Sequence, residues 1–251
     1  MIPYRQIYDV HLGPVTIQMW GLMVAIGILL ALILAIRRSQ KAIINKEHIY
    51  DLTFYSILAG VIGSRIGYVL FSWPDNLPLT LANAANITKG GLSFTFGLVA
   101  ALAIALIYMK KNKINAFKFL NFIAPYIVIA HAIGRIGCFL IGDHLGKATN
   151  FILGVSVNGV VRHNVALYEI FALLVIFSIL IYLRRKRLTS YIFAAYLMLY
   201  SALRFPLDFL RVDPTYYGLT AAQYILMGAF IISAGLMIII KRKDDSHRTQ
   251  R

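Results

Sequence analysis

Seven long runs of apolar residues constrain the fold of this chain more than any other feature of its sequence. A helix that crosses a bilayer needs about 20 consecutive, predominantly apolar residues, and the runs are of that order. Apolar residues make up 59% of the 251 residues and charged residues only 14%, a composition unlike that of an ordinary soluble domain. We therefore predict an all-α polytopic membrane protein with seven transmembrane helices.

The predicted helices leave no room for a separate soluble domain. Residues 1–14 contain aromatic and polar residues and are predicted to form an interfacial arm without spanning length. The predicted spans cover about 15–36, 51–72, 91–109, 117–140, 165–183, 190–210 and 219–240. We expect residues 1–251 to form a single transmembrane domain.

The positions of the positive charges predict how these helices are oriented. The chain has 25 Lys and Arg against 10 Asp and Glu, a formal net charge of +15. Basic clusters follow the first, third, fifth and seventh spans: Arg37–Lys46, Lys110–Lys118, Arg184–Arg187 and Lys241–Arg251. Cytoplasmic loops of membrane proteins carry an excess of Lys and Arg. The N-terminus is therefore predicted outside and the C-terminus in the cytoplasm, and the charge reports orientation rather than binding to nucleic acid.

Several kinds of site are excluded by what the sequence lacks. Cys138 is the one cysteine, which excludes an internal disulfide and a site with several cysteine metal ligands. The sequence has no Walker loop, dinucleotide fingerprint, HExxH motif or nucleophile elbow, and we expect no cofactor and no metal. No basic segment precedes the first apolar run, so we expect no cleavable signal peptide.

Three arginines lie inside predicted spans, where a charge is costly. Arg65, Arg135 and Arg204 each lie in the later half of an outward-running span, which places them within roughly 10 Å of the outer surface. The inward-running spans carry polar residues near their starts, at the same depth: Trp20, Ser93, Thr95, Tyr168, Glu169, Thr220 and Gln223. An arginine in hydrocarbon costs at least about 3 kcal/mol and usually serves a site. The shared depth favours a functional site in the outer leaflet over structural arginines tied to backbone carbonyls or to a neighbouring acid.

Helical spacing places further polar residues on the same face as Arg204. Tyr200, Arg204, Asp208 and Arg211 follow at i, i+4, i+8 and i+11, and therefore share one side of the sixth span. The simpler interpretation is an ion pair between Arg204 and Asp208 that neutralises both charges in lipid. That interpretation is compatible with a site, because a paired arginine can still bind phosphate.

His131, Arg135 and Cys138 likewise share one face of the fourth span. A lone intramembrane histidine is more often a hydrogen-bonded packing residue than a base. Cys138 is interpreted as a small buried hydrophobic residue. Gly137 is interpreted as a position of close helix approach.

A cluster of arginines at headgroup depth favours an anionic phospholipid as the ligand. Guanidinium groups give planar, bidentate, charge-assisted contacts to phosphate. Chemistry at such a site would transfer a lipid fragment with phosphate leaving, stabilised by the arginine charges. From these residues alone, a transferase, a lipid-binding protein and a transporter all remain open.

Six motifs, in order along the chain, resemble those of the prolipoprotein diacylglyceryl transferases, bacterial membrane enzymes that modify the lipobox cysteine of prolipoproteins. They are LGPVTIQMWGLM (12–23), GSRIGYVLF (63–71), GGLSF (90–94), GRIGCFLIGDHLG (134–146), RHNVALYE (162–169) and YSALRFPLDFLR (200–211). The resemblance implies transfer of a diacylglyceryl group from phosphatidylglycerol to a cysteine thiol, with release of glycerol phosphate. It also implies prolipoprotein signal peptides as partners and a multi-pass location in the bacterial cytoplasmic (inner) membrane.

The resemblance implies roles for particular residues. Arg135 and Arg204 would hold the phosphate, and Asp143 and Asp208 would orient these arginines. The implied phospholipid-binding set is Arg65, Arg135, Tyr200, Arg204, Arg211, Gly137, Gly146, Tyr168, Glu169, Thr95 and Trp20.

The chain departs from the family pattern mainly where proton transfer is expected. Trp20 replaces a tyrosine, Thr95 the histidine after GGLSF, Cys138 and Ile141 two asparagines, and Asp143 and Asp208 two glutamates. His131, one turn before Arg135, is a candidate to replace the missing base. A thiol with a pKa of about 8.5 is a few per cent thiolate at neutral pH, so the arginine charges alone are the alternative.

Three other functions are kept as alternatives to this transferase. The chain would be a divergent relative that moves a lipid group to another acceptor, or a non-catalytic protein that binds or translocates phospholipid. An unrelated transporter of small solutes is the third alternative. Each differs from the first hypothesis in whether a diacylglyceryl adduct forms on a lipobox cysteine.

Overall fold

A computed structural model of the protein describes residues 2–13, 15–42, 44–74, 80–85, 91–143 and 145–249. Within these ranges, only the backbone is described for residues 12, 15, 81 and 243–249. His144, in the motif at 134–146, lies outside the described residues.

Helices make up most of the described chain. They are α1 (Met19–Ala42), α2 (Lys46–Phe71), α3 (Leu81–Ala85), α4 (Phe94–Lys111), α5 (Ala116–Ile141), α6 (Val165–Arg185), α7 (Ile192–Asp208) and α8 (Ala221–Thr249), with a 3-10 turn at Thr189–Tyr191. Within the described residues, six of them are long and apolar enough to cross a membrane: α1, α2, α4, α5, α6 and α8. The helix α7, which matches the sixth predicted span, has only 17 residues. The mostly helical structure with several apolar helices is consistent with the predicted polytopic membrane protein.

The chain also forms three short antiparallel sheets that were not predicted from the sequence: one precedes α1, and two lie in connections between helices. They are β1 (Asp9–Leu12) with β2 (Val15–Gln18), β3 (Leu145–Ala148) and β4 (Val155–Val157) on either side of β5 (Val160–Asn164), and β6 (Thr215–Tyr216) with β7 (Leu219–Thr220). The first helix therefore begins at Met19 rather than near residue 15. The reason is local, because Val15, Thr16 and Ile17 are β-branched and pair with β1 across a turn at Gly13, whose φ is +62°.

The described chain groups into two compact units. The first unit comprises Met1–Leu34 and Leu120–Arg251, and the second comprises Ala35–Phe119. The first unit has a core of buried residues from α5, α6 and α7: Ala124, Val128, Ala132, Leu173, Ile176, Leu180, Ile192 and Ala195. Their spacing of three or four along each helix puts them on one face, so burial of that face holds the three helices together.

Small residues allow helices of the first unit to approach closely. A Cβ atom added at Gly27 of α1 would lie 2.7 Å from the carbonyl oxygen of Ala130 in α5. A Cβ added at Gly137 would lie 3.1 Å from the Cα of Trp20. Helices in membranes pack through such small residues, since hydrocarbon gives no hydrophobic reason for them to associate. The close-approach interpretation of Gly137 is therefore confirmed.

The N-terminal arm lies against the end of α5. The Tyr4 hydroxyl donates to the Phe139 carbonyl, the Ile7 N–H donates to the Leu140 carbonyl at 2.8 Å, and the Gln6 amide donates to the Ile141 carbonyl at 3.2 Å. The last carbonyls of a helix have no partner within the helix, so the arm satisfies them. Burial, together with the neighbouring Tyr8, raises the pKa of Tyr4 to about 12, and the phenol remains a donor at neutral pH.

In the second unit, α2 packs on α4 through glycines. A Cβ added at Gly63 would lie 2.4 Å from the Cβ of Ala100, and one added at Gly97 would lie 2.9 Å from the carbonyl oxygen of Gly60. A larger residue at either position would force the two helices apart. Arg65 lies in α2, one residue from the buried Ser64.

Candidate functional site

The centre of the candidate site is Glu169, in the second turn of α6. Its carboxylate is buried, with 2% of the residue exposed. Arg135 of α5 places its Nε 2.9 Å from Glu169 Oε2, and Arg204 of α7 places its Nε 2.8 Å from Oε1. Both contacts are ion pairs by distance rather than aligned hydrogen bonds, since Arg135 Nε and Glu169 Oε1 make none among the described residues. One buried carboxylate thus joins three helices and two cations.

A second carboxylate, Asp208, holds the other side of Arg204. Its Oδ1 lies 2.6 Å from Arg204 Nη2, which is the i, i+4 pair that the spacing indicates. The simpler interpretation of that spacing is therefore confirmed. Arg211 lies further away, with its Nε 3.8 Å from the same oxygen, and instead donates to Asp213 Oδ2 at 2.6 Å.

Residues at the start of α8 complete the cluster. The Thr220 hydroxyl donates to Asp208 Oδ2 at 2.6 Å, and both residues are buried. The backbone N–H of Thr220 donates to Gln223 Oε1 at 2.9 Å, and the Gln223 side-chain amide donates to the Phe205 carbonyl at 3.1 Å. The sequence places Thr220 and Gln223 at the same depth as the arginines but indicates no role for either residue.

The carboxylates leave particular guanidinium nitrogens available. Arg204 Nη1 is buried and has no hydrogen-bond partner within the part of the chain that the structure describes. Arg135 Nη1 lies 3.7 Å from the sulfur of Cys138, a weak acceptor, and the Arg135 side chain is 20% exposed. Arg204 is therefore held through Nε by Glu169 and through Nη2 by Asp208, and its Nη1 is the guanidinium nitrogen left without a hydrogen bond in the described residues.

His131 and Tyr200 lie on the helix faces that carry the two arginines. Their ring centroids are 5.2 Å apart, and His131 lies one turn before Arg135 on α5. The structure therefore brings the histidine proposed as a base next to the aromatic residue of the Tyr200–Arg204–Asp208 face.

Other residues of the predicted lipid-binding set have packing or hydrogen-bonding contacts in the first unit. A Cβ added at Gly146 would lie 2.4 Å from the Leu210 carbonyl oxygen, so the strand β3 can lie against the end of α7 only with glycine there. The Tyr168 hydroxyl lies 2.9 Å from His163 Nδ1. Asp143, in the turn after α5, donates its backbone N–H to the Cys138 carbonyl at 3.0 Å.

Arg65 and Thr95, also predicted to bind lipid, belong to the second unit. Thr95 is exposed in the first turn of α4. The Arg65 guanidinium donates to three backbone carbonyls, each at 2.8 Å: Ala84 from Nε, Gly91 from Nη1 and Asn83 from Nη2. Arg65 thereby holds the segment that follows α2.

Asp213 is the charged partner that sequence reasoning missed. It lies outside the predicted spans, which is why a search for intramembrane charges passes over it. Its position two residues after Arg211 is the signal that could have found it. Among the described residues, no group of three or more His, Cys, Asp or Glu is placed to hold a metal ion.

Comparison with known proteins gives consistent matches over nearly the whole chain. The family model described as prolipoprotein diacylglyceryl transferase matches residues 8–240. A phosphatidylglycerol–prolipoprotein diacylglyceryl transferase of Finegoldia magna is 30% identical over 231 residues, covering 91% of this chain and 92% of the relative. Proteins of the same name from Bordetella bronchiseptica and Pseudomonas putida are 33% identical over 258 residues and 34% identical over 259 residues. These two matches cover 96% and 95% of this chain, and 98% and 95% of the relatives.

Proposed function

We propose a function for this chain from the premise that it belongs to the prolipoprotein diacylglyceryl transferase family. It is a membrane transferase that moves a diacylglyceryl group from phosphatidylglycerol to the lipobox cysteine of prolipoproteins. The names of its relatives give that donor and that class of acceptor. They favour this function over another acceptor and over lipid binding without catalysis.

The proposed reaction transfers the diacylglyceryl group from a phosphate oxygen to the cysteine sulfur. The cysteine thiolate attacks the glycerol carbon that carries the phosphate ester, a carbon–sulfur bond forms, and the carbon–oxygen bond breaks. Glycerol phosphate leaves with the bonding electron pair, and a base takes the thiol proton. Because negative charge accumulates on the leaving phosphate, preorganised N–H donors at that position lower the barrier.

The observation that carries the proposal is the convergence of Arg135 and Arg204 on Glu169, at 2.9 and 2.8 Å. The shared carboxylate fixes both Nε atoms, so the two guanidinium groups are positioned before the lipid arrives. Arg204 Nη1, which makes no hydrogen bond among the described residues, is proposed as the donor to a phosphate oxygen. Glu169 therefore serves the lipid site by holding the arginines rather than by touching the phosphate, which it would repel.

Orientation of the arginines and removal of the proton are assigned to neighbouring residues. Asp208, 2.6 Å from Arg204 Nη2, sets the plane of that guanidinium. Asp143 follows the end of the helix that carries Arg135 and is proposed to orient it. His131, one turn before Arg135, is proposed as the base in place of the family histidine.

The remaining predicted lipid-binding residues are kept as part of the proposal. Tyr200 and Arg211 lie on the same helix face or its extension as Arg204. The others are Trp20, Thr95, Gly137, Gly146 and Tyr168, together with Arg65, whose contribution is proposed to be small because its Nε, Nη1 and Nη2 already donate to backbone carbonyls. Gly137 and Gly146 are proposed to act through close packing, which brings α1 and the end of α7 next to the motif at 134–146.

We also propose one transmembrane domain with seven crossings, in which α7 is the short sixth crossing. A helix of 17 residues rises about 25 Å, and the preceding 3-10 turn adds length. The proposed orientation has the N-terminus outside and the C-terminus in the cytoplasm of a bacterial inner membrane. The arginine cluster then lies in the outer leaflet, where phosphatidylglycerol and the signal peptide are both accessible.

Direct measurement of transfer tests the proposal. Purified protein is incubated with phosphatidylglycerol and a synthetic lipobox peptide, and mass spectrometry follows the diacylglyceryl adduct together with released glycerol phosphate. We expect the adduct with the wild-type protein and with Arg185→Ala, a change at an exposed residue at the far end of α6. We expect loss of the adduct with Arg135→Ala. Lipid binding without any adduct would instead favour a non-catalytic binding protein.

The assignment of His131 has its own test. His131→Ala is expected to abolish transfer while lipid binding is retained, because only proton removal is affected. A measurement at alkaline pH distinguishes this from misfolding: without the base, transfer is expected to return as the thiolate concentration rises, whereas a misfolded protein stays inactive. Near-normal activity of the variant at neutral pH would overturn the assignment and leave the arginine charges as the activating feature.

A further inference from the structure

The first two turns of α8 contain a reciprocal capping arrangement. Thr220 precedes the helix, and its Oγ1 accepts a hydrogen bond from the Gln223 backbone N–H at 3.2 Å. In return, Gln223 Oε1 accepts the backbone N–H of Thr220 at 2.9 Å. This T-x-x-Q pattern is a capping box, which satisfies two donors at a helix N-terminus at once.

The capping box uses the Thr220 hydroxyl as an acceptor and leaves its hydrogen for another partner. A threonine hydroxyl has one hydrogen to donate and two lone pairs, one of which accepts from the Gln223 N–H. The hydrogen is donated to Asp208 Oδ2 at 2.6 Å. The side-chain amide of Gln223 fastens the box to α7 through the Phe205 carbonyl.

Within the described residues, the Thr220 hydroxyl donates the aligned hydrogen bond that the Asp208 carboxylate accepts. The contact between Asp208 Oδ1 and Arg204 Nη2, at 2.6 Å, is an ion pair without hydrogen-bond alignment in the described residues. Coulomb attraction is weakly directional, so the ion pair alone does not fix the rotation of the carboxylate. The Thr220 hydroxyl, acting on the opposite oxygen, does.

We propose that Thr220 is a positioning residue for the transfer reaction: its hydroxyl fixes the Asp208 carboxylate, which in turn holds Arg204 with Nη1 free to donate to the phosphate. This inference rests on the proposed function. It adds the residue that caps α8, a helix that contributes none of the proposed catalytic residues, to the groups that hold the phosphate-binding arginine. It assigns Thr220 no contact with the lipid itself.

The role follows from the geometry of the guanidinium group. If the Asp208 carboxylate rotates, it can pair with Arg204 Nη1 instead of Nη2. Nη1 is then no longer the nitrogen without a hydrogen bond. Binding of the lipid can tolerate this because Arg135 and the acyl chains remain. Stabilisation of the leaving phosphate requires the aligned donor, so the loss is expected in kcat more than in KM.

The test compares Thr220→Val, which has nearly the same shape and no hydroxyl, with Thr220→Ser, which retains the hydroxyl. We expect Thr220→Val to lower kcat for transfer from phosphatidylglycerol about tenfold with KM within twofold, and Thr220→Ser to retain at least half of kcat. Ser233→Ala is the matched control, because Ser233 is a fully buried residue of α8 whose hydroxyl donates to the Phe230 carbonyl of its own helix at 2.8 Å. We expect both constants of this control to stay within twofold of the wild type.

Three outcomes overturn the inference: wild-type kcat in Thr220→Val, equal loss in the Val and Ser variants, or equal loss in Ser233→Ala. Thr220→Ala replaces the Val variant if the latter does not yield folded protein, since it also lacks the hydroxyl. Failure of the proposed function is distinguishable, because the wild-type protein itself would then form no adduct. Failure of the inference alone leaves an active wild-type protein that is indifferent to the Thr220 hydroxyl.

Discussion

Arg204 and Arg65 are both arginines on apolar helices, but the structure uses their charges differently. Arg204 is paired with two carboxylates on two helices, at 2.8 Å from Glu169 and 2.6 Å from Asp208. Arg65 is held by three backbone carbonyls and lies over the rings of Tyr68 and Trp73, with centroid distances of 5.1 and 5.8 Å. Two acids hold the cation Arg204 in place, whereas the cation Arg65 holds the segment that follows α2.

The two arginines also differ in which of their guanidinium nitrogens make hydrogen bonds. Glu169 and Asp208 neutralise the charge of Arg204, and Nη1 still makes no hydrogen bond among the described residues. The carbonyls around Arg65 occupy Nε, Nη1 and Nη2 together, and the nearby Gly91 has φ +80° and no room for a Cβ. The sequence predicts the same membrane depth for both arginines, and only their partners in the structure distinguish them.

The largest expected effect on this comparison comes from Arg204→Lys. Lysine keeps the charge but replaces the planar fork by a single ammonium, so Glu169, Asp208 and a phosphate oxygen cannot all be served. We expect kcat for diacylglyceryl transfer to fall about 100- to 1,000-fold, the range found when one preorganised donor to a developing anion is removed. Mass spectrometry of the peptide adduct under single-turnover conditions measures it.

Arg184→Lys is the matched control for that prediction. Arg184 is also a partly buried arginine of the first unit, and it donates to the Tyr126 hydroxyl at 2.8 Å and to the Phe122 carbonyl at 2.9 Å. Lysine should replace it with little change in kcat. Equal losses in the two variants would mean that the guanidinium of Arg204 serves the fold rather than the reaction.

Glu169→Gln tests the acid side of the comparison and is expected to act on stability first. Removal of one partner from a buried ion pair typically costs about 3–5 kcal/mol, because the remaining charge is left uncompensated. Here two guanidinium groups lose their common counter-ion at a residue that is 2% exposed. We expect a clear fall in the apparent Tm of the detergent-solubilised protein, by intrinsic fluorescence, and weaker transfer by whatever protein remains folded.

Glu47→Gln provides the comparison for that experiment, since Glu47 is exposed in the first turn of α2. Exposed charges contribute little, so its Tm should stay close to that of the wild type. An unchanged Tm in Glu169→Gln would show that the arginines do not depend on this carboxylate for their burial.

The sequence was sufficient for the parts of the site that lie along a single helix. The four-residue spacing from Arg204 to Asp208 indicates their ion pair, and the structure has it at 2.6 Å. The T-x-x-Q capping box at Thr220 and Gln223 is likewise readable from local pattern. Such contacts depend only on helical geometry, which is the same in every helix.

The contacts between helices could not be obtained from the sequence. The resemblance to the family puts Glu169 in the lipid-binding set, but its position as the bridge between Arg135 and Arg204 depends on how α6 is rotated against α5 and α7. The Thr220 hydroxyl could equally point to solvent if α8 began one turn later. Rotation and register of neighbouring helices are set by the packing of the whole core, and periodicity within one segment carries no information about them.

Arg65→Lys has the smallest expected effect and sharpens the other side of the comparison. A lysine can satisfy one or two of the carbonyls of Asn83, Ala84 and Gly91 but not all three in one plane, and each lost hydrogen bond contributes about 1 kcal/mol. We expect the apparent Tm to fall by a few degrees, with kcat and KM for phosphatidylglycerol within about threefold of the wild type. Arg38→Lys, at an exposed position of the second unit, should leave Tm, kcat and KM unchanged.

If KM for phosphatidylglycerol instead rises strongly in Arg65→Lys while Tm is unchanged, Arg65 is a lipid ligand, as the resemblance of the chain to the family implies. The contrast with Arg204 would then be one of degree, because an arginine bound to backbone carbonyls would also be able to exchange them for phosphate.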